Sequence, residues 1–272
     1  STLFHPDGAV SDNLNYLEDQ LEGPARGWWP DGSPRYTANW KSGKMEGPSI
    51  EYFASGGKRS ETFYLLGKKD GPARTWNEKG ELLMEESWKE DKREGLVREF
   101  YPDGKPKVET RYRAGKKNGP FRSFSSEGGT ATSGEFKDDK LSGPLLLHYP
   151  DGKTFAECQY DENRLIGGRL LYPDSRTLGQ FGPVLGDSGK VSSLLLQYPD
   201  GKPLSSARIN SASRSVSWQG WKPDGSPLGQ IELVSSSAVS GIPETSLWRS
   251  QQESLEQQIG LSLPSEFDLL PR

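Results

Sequence analysis

Histidine and methionine occur twice each in the 272 residues, and cysteine once. The single cysteine, Cys158, excludes an intrachain disulfide. One cysteine and two scattered histidines cannot supply a zinc ligand set. No apolar run approaches 18 residues, so no segment reads as a transmembrane helix. An excess of charge is also missing: 34 basic residues face 38 acidic ones, for a net charge of −4. Nucleic-acid binding needs concentrated basic surface, so it is disfavoured. Only 32% of the residues are hydrophobic, too few for a helical bundle or an α/β enzyme. Aromatics at 10% are nevertheless too many for a disordered chain.

Glycine (32) and proline (20) are abundant, and they are periodic. Gly23, Gly47, Gly71, Gly95, Gly119, Gly143 and Gly167 are spaced 24 apart, and Pro follows five of them. A second glycine column runs from Gly8 to Gly152 at the same spacing, with "PDG" complete at 6–8, 30–32, 102–104 and 150–152. A third column is aromatic: Tyr16, Trp40, Tyr64, Trp88, Tyr112, Phe136 and Tyr160. A fourth reads Phe4, Trp28, Tyr52, Trp76, Phe100, Phe124 and His148. Such periodicity marks a repeat architecture. Each copy holds two turn signals and two runs of about eight residues, hence one β-hairpin per repeat.

The expected fold is therefore all-β: an extended, twisted antiparallel meander of 24-residue hairpins. Residues 1–172 hold seven regular repeats. Residues 173–243 continue the same sheet irregularly, through the Gly-rich "GPVLGDSGK" at 182–190 and two weaker copies at "YPDGKP" and "KPDGSP". Residues 244–272 hold one amphipathic helix over 244–259, with Trp248, Gln252, Leu255 and Ile259 on one stripe, and then a tail. That helix is expected to cover the last sheet edge, which would otherwise be open to pairing.

"PDG" suits a three-residue hairpin loop, with Pro fixing φ, Asp in the turn and Gly in the left-handed position. If the second turn, near "KSGK" (41–44), is also odd in length, even-numbered residues share one face throughout. That face would carry Trp28, Tyr36, Trp40, Trp88, Tyr112 and Phe136, and the odd face Glu61, Glu85, Glu109 and Glu157. The column Arg26, Arg74, Arg98 and Arg122 would then lie on the even face beside Trp28, Trp76, Phe100 and Phe124. These eight residues form the candidate partner-binding strip, because Arg, Trp and Tyr dominate interface hot spots. Alternatively each guanidinium stacks over a neighbouring ring.

No catalytic constellation is legible. His148 and Cys158 would stand about 13 Å apart along their strands, beyond hydrogen-bond reach, and Cys158 is expected to pack as a small apolar residue. The "DG" turns lack the alternating oxygens of a calcium loop, and "GPVLGDSGK" lacks phosphate-loop spacing. No enzyme activity, cofactor or metal is expected.

The segments "YRAGKKNGPFRSF" (112–124) and "WKSGKMEGPSIEY" (40–52) resemble the MORN-repeat variant of bacterial proteins, in particular those of the antitoxin or immunity type. The resemblance covers 1–172 strongly and 191–243 weakly. It implies an extended binding surface and a protein partner, a cognate toxin such as a phospholipase effector of type VI secretion. The alternative it implies is a membrane-surface scaffold that binds phospholipid. The chain begins "STLFHPDG", and the reading is of a processed N-terminus and a bacterial periplasmic location, with the cytoplasm as the alternative.

Overall fold

The structure is a computed structural model, and it describes residues 1–182, 193–210 and 215–234. The described residues are all-β. Twenty-three strands belong to one antiparallel meander, which is not closed, and Tyr16–Leu17 with Gln20–Leu21 form a separate pair. The helix expected over 244–259 lies outside the described residues. The chain divides into two compact units, one of Ser1–Gly152 with Tyr160–Arg164, the other of Lys153–Gln159 with Leu165–Arg272.

In the first unit every repeat turns twice. At the "PDG" turn the Trp29 amide donates to the Ser33 carbonyl at 2.8 Å, and the Gly32 amide to the Trp29 carbonyl at 2.9 Å. Asp31 Oδ1 accepts the Ser33 amide at 2.9 Å, which locks the loop from within. Gly32 and Gly104 take φ of 84° and 82°, the left-handed region that L side chains avoid. A Cβ on Gly104 would meet nothing within 4 Å, so a substitution there is opposed by backbone conformation alone. Gly104→Val is expected to destabilise by about 1–3 kcal/mol, read as a shift of the urea midpoint. No shift would show that another residue tolerates this turn.

The second turn differs from the expectation. It has two residues, not an odd number: Lys41 pairs with Lys44 around Ser42 and Gly43 at φ 47° and 72°. Positive φ at both positions is the twist-matched hairpin turn. Non-glycine residues also occupy it, as at Leu66, Glu90 and Ala114, with φ of 53°, 49° and 51°. A carboxylate of the preceding repeat holds each one: Glu46 accepts the Leu66 amide at 3.0 Å, Asp70 the Glu90 amide at 3.2 Å and Glu94 the Ala114 amide at 2.7 Å. The acid just before Gly23, Gly47, Gly71 and Gly95 is thus a brace between repeats. Backbone bonds run beside it, from Gly67 to Met45 and from Gly115 to Arg93, both at 2.9 Å.

The face assignment also changes, through a second cause. Trp28 lies opposite Pro34, as a three-residue loop demands, but the next pair is Gly27 with Tyr36. Arg35 is an extra residue, a β-bulge, and beyond it even residues face odd ones. The same shift follows Trp76, Phe100 and Phe124. Directly opposed residues share a face, so the Arg column moves over to join the Glu column. Arg74 stands between Glu61 and Glu85, Arg98 between Glu85 and Glu109, and Arg122 between Glu109 and Ser133. The aromatic column Trp28, Trp76, Phe100 and Phe124, two residues along those same strands, travels with the arginines. Trp40, Trp88, Tyr112 and Phe136 remain on the opposite face.

That opposite face packs through small residues. Ala25 is 1% exposed and Ala73 6%, with Ala38 and Val97 also buried, yet no large side chain among the described residues is fully buried. Rings close over glycines instead, a known way to support a strand glycine. Tyr36 covers Gly27, where a Cβ would sit 2.3 Å from the ring, and Phe121 covers Gly134.

The second unit adds a small core of Tyr172 and Leu178 with Leu170 and Leu204 packed against it. Its tyrosines explain the first letter of "YPDG". Tyr172 and Tyr198 each donate a hydroxyl to a carbonyl one repeat later, Gln197 at 2.9 Å and Trp221 at 3.1 Å. In the first unit Tyr101 does the same to Phe124 at 2.8 Å.

Candidate binding faces

The face that gathers the Arg and Glu columns carries a ladder of alternating charge. Arg74 Nε donates to Glu85 Oε1 at 2.8 Å and Arg98 Nε to Glu109 Oε1 at 3.0 Å, while Arg98 Nη1 stands 4.0 Å from Glu85 Oε2. The arginine side chains here are almost half exposed, so each pair adds at most about 1 kcal/mol. Arg26 and Arg122 make no ion pair with a described residue; Arg26 lies opposite Thr37 and Asn13. None of the four arginines stacks on a ring among the described residues. Carboxylates took the place that the stacking alternative gave to Trp28, Trp76, Phe100 and Phe124. The sheet brings all eight residues of the candidate strip to one face, but together with the glutamates that were expected on the other side.

One lysine does reach a ring of the strip, Lys58 Nζ lying 5.8 Å from the Trp76 ring centre, but the longer row of stacked cations is on the opposite face, at residues the sequence reading passed over. Lys69 Nζ lies 4.7 Å from the Trp88 ring centre, Arg93 Cζ 5.5 Å from Trp88 and 5.4 Å from Tyr112, and Lys117 Nζ 5.0 Å from Phe136. Arg93 Nε also donates to Glu86 at 2.6 Å, and Trp88 Nε1 to the same carboxylate at 3.2 Å. The signal was present as a column, Lys69, Arg93 and Lys117 at the period of 24, directly opposite Tyr64, Trp88 and Tyr112. Where this face nears the chain start, a cavity of about 510 Å³ is lined by Trp29, Tyr36, Trp40, Met45, Tyr52 and Arg59 among others. Trp29 Nε1 is buried there without a hydrogen-bond partner.

Beside that cavity Asp12 Oδ1 accepts Arg35 Nη2 at 2.7 Å and the Tyr36 hydroxyl at 2.9 Å. Burial works against the Asp12 charge, but hydrogen bonds from Tyr36, Ser11 and Arg35 hold its carboxyl below the ordinary range. Burial, and then the bond to Asp12, pushes Tyr36 up to about 12. The two signs bracket a window. Asp12 contributes stability above its unfolded value that is lost as pH falls through the folded one. Tyr36 contributes stability below about 10 that is lost as pH rises through about 12. Tyr36→Phe should remove the alkaline part of the loss, measured as the urea midpoint against pH. An unchanged alkaline limb would assign it to another group.

His148 lies in the first unit with a ring nitrogen 3.2 Å from Ser133 Oγ. Cys158 is 4% exposed, and burial pushes its thiol up to about 11, as suits a packing residue. Among the described residues no group of three or more His, Cys, Asp or Glu could hold a metal ion. No helix among them is long and apolar enough to cross a membrane.

The MORN repeat variant matches residues 93–114, the span from Arg93 through the "YPDG" turn to Ala114. No curated protein matches the chain. Among solved structures it is similar to the Tc holotoxin pore of Photorhabdus luminescens at 10% identity, over 87% of this chain and 15% of that one, with a TM-score of 0.21. It is also similar to a porin-like protein from Bacteroides uniformis, at 10% identity over 77% of this chain and 92% of that one, with a TM-score of 0.24. The chain thus spans about 15% of the length of the first. Likenesses this slight carry no weight for fold or function.

Proposed function

We propose that the protein is a non-enzymatic binding scaffold, and within that class an immunity protein that docks its sheet on a secreted bacterial toxin and blocks access to it. The observation that carries this reading is the cation–aromatic row of Lys69, Trp88, Arg93, Tyr112 and Lys117. It is a partly exposed, pre-ordered row on a sheet face, with the hot-spot residue types Trp88, Arg93 and Tyr112 at its centre. A MORN repeat variant at 93–114 supports the scaffold class. The toxin, a phospholipase effector of type VI secretion in the narrowest form of the proposal, and the periplasmic location rest on the resemblance alone. Co-purification with a type VI phospholipase effector, and protection of cells that make that effector, test the reading. A toxin that neither binds nor is neutralised removes it, and flotation with anionic vesicles would put a phospholipid scaffold in its place.

A further inference from the structure

Along the ladder face of the first unit the charged row reads Glu61, Arg74, Glu85, Arg98, Glu109, Arg122, one residue per strand. Read from the other end, every sign is exchanged. A row of this kind complements itself. Turned about a two-fold axis parallel to the strands and midway between those of Glu85 and Arg98, each acid meets a base. Glu85 falls opposite Arg98 of the second copy, Arg74 opposite its Glu109 and Glu61 opposite its Arg122. The flanks obey the same symmetry. Thr37 and Ile50 precede the row and Ser133 and Leu146 follow it, so uncharged residues meet uncharged ones.

We propose that this face binds a second copy of the chain. The internal pairs leave donors and acceptors for it. Arg74 and Arg98 bond their neighbours through Nε, which leaves the outer guanidinium nitrogens for a carboxylate across the interface. The rings add shape. Trp76, Phe100 and Phe124 lie on the arginine strands, which all run in one direction. The axis preserves strand direction, so rings of one copy fall opposite glutamate strands of the other and interleave; Phe63, on the strand of Glu61, lies at the opposite strand end from them. From Thr37 to Leu146 the row crosses ten strands. At about 4.8 Å per strand and roughly 20 Å of strand length, the face offers on the order of 800 Å² per copy, the area of a standard interface. The contact is isologous, as closed dimers require. It occupies the face opposite the cation–aromatic row, so it is independent of the toxin reading.

Sedimentation velocity on the full chain tests this. The wild type is expected to be a dimer that weakens with added salt. Arg98→Glu alone places like charges together twice, because of the symmetry, as does Glu85→Arg alone. Each variant should weaken the dimer more than about 30-fold. A mixture of the two has every pair complementary again and should restore association. A monomeric wild type, single variants that remain dimeric, or a mixture that stays monomeric would each overturn the proposal. Circular dichroism reports whether the variants fold. A second probe leaves the charges intact: Ile50→Cys with Ser133→Cys in one chain. These positions are seven strand steps apart, about 34 Å, too far to bridge internally, but they oppose each other across the axis. Facing sheets stand about 10 Å apart, beyond direct disulfide reach, so a short bis-maleimide should yield the covalent dimer, with buried Cys158 left out, and failure to cross-link sinks the register proposed.

Discussion

Gly168→Ala is expected to destabilise the second unit by about 3 kcal/mol, the upper part of the range for overpacking. The added Cβ would stand 2.3 Å from the Glu157 carbonyl oxygen, 2.5 Å from Phe181 Cζ and 3.0 Å from Cys158 Cα. Two of those three atoms are backbone of another strand, so rotating a side chain cannot relieve the contact. The third belongs to a ring that is 7% exposed and lies opposite Gly168 in register. The residue does not have positive φ, so the penalty is one of space. Gly104 is the reverse case, with a left-handed backbone and open space. Urea unfolding followed by far-ultraviolet circular dichroism separates the two. A Gly168→Ala midpoint no lower than that of Gly104→Ala would mean the strands are not as close here as described. Unfolding need not be a single transition, since each repeat leans mainly on its neighbours.

These glycines show what the sequence discloses and what it hides. The columns at a period of 24 made the hairpin repeat and its "PDG" turn legible, because both depend on local chain chemistry. Gly104 could be assigned a positive φ from its turn alone. Gly168 could not be told apart from any other strand glycine, because its role is set by Phe181 and by the backbone at Glu157. The faces were misassigned for a similar reason. Side-chain alternation propagates any one-residue error along the whole sheet, and two such errors occurred per repeat. Arg35 bulges one pair beyond the loop, where no turn residue marks it. The second turn accepts Leu66 and Ala114 at positive φ because carboxylates from the repeat before, Glu46 and Glu94, bind their amides. Those acids are visible as a column only to a reader who already knows which turn they brace. Hence the arginines of the candidate strip were grouped with Trp76 and Phe100, yet separated from the glutamates that in fact pair with them.

Regrouping the arginines changes where binding energy is expected. On the toxin docking proposed above, Trp88→Ala and Arg93→Ala should each weaken binding by at least about 2 kcal/mol, near 30-fold, the usual threshold of a hot spot. Both side chains are already held. Trp88 lies between Lys69 and Arg93, and Glu86 bonds Arg93 and the indole nitrogen together. Groups ordered before association lose little entropy on docking, and the row stays partly exposed. On the ladder face, Arg98→Ala with Arg122→Ala should change toxin affinity by less than about 1 kcal/mol, the value of exposed ion pairs. Glu85→Ala with Glu109→Ala should behave alike, because those carboxylates belong to the same row and do not probe a separate surface. Calorimetric titration of each variant with the toxin, after circular dichroism has shown an intact sheet, distinguishes the faces. If the arginine pair and the glutamate pair both lose binding while Trp88→Ala keeps it, the toxin occupies the ladder. The two copies of the chain would then be competing with it for one surface, and added toxin should dissociate the dimer.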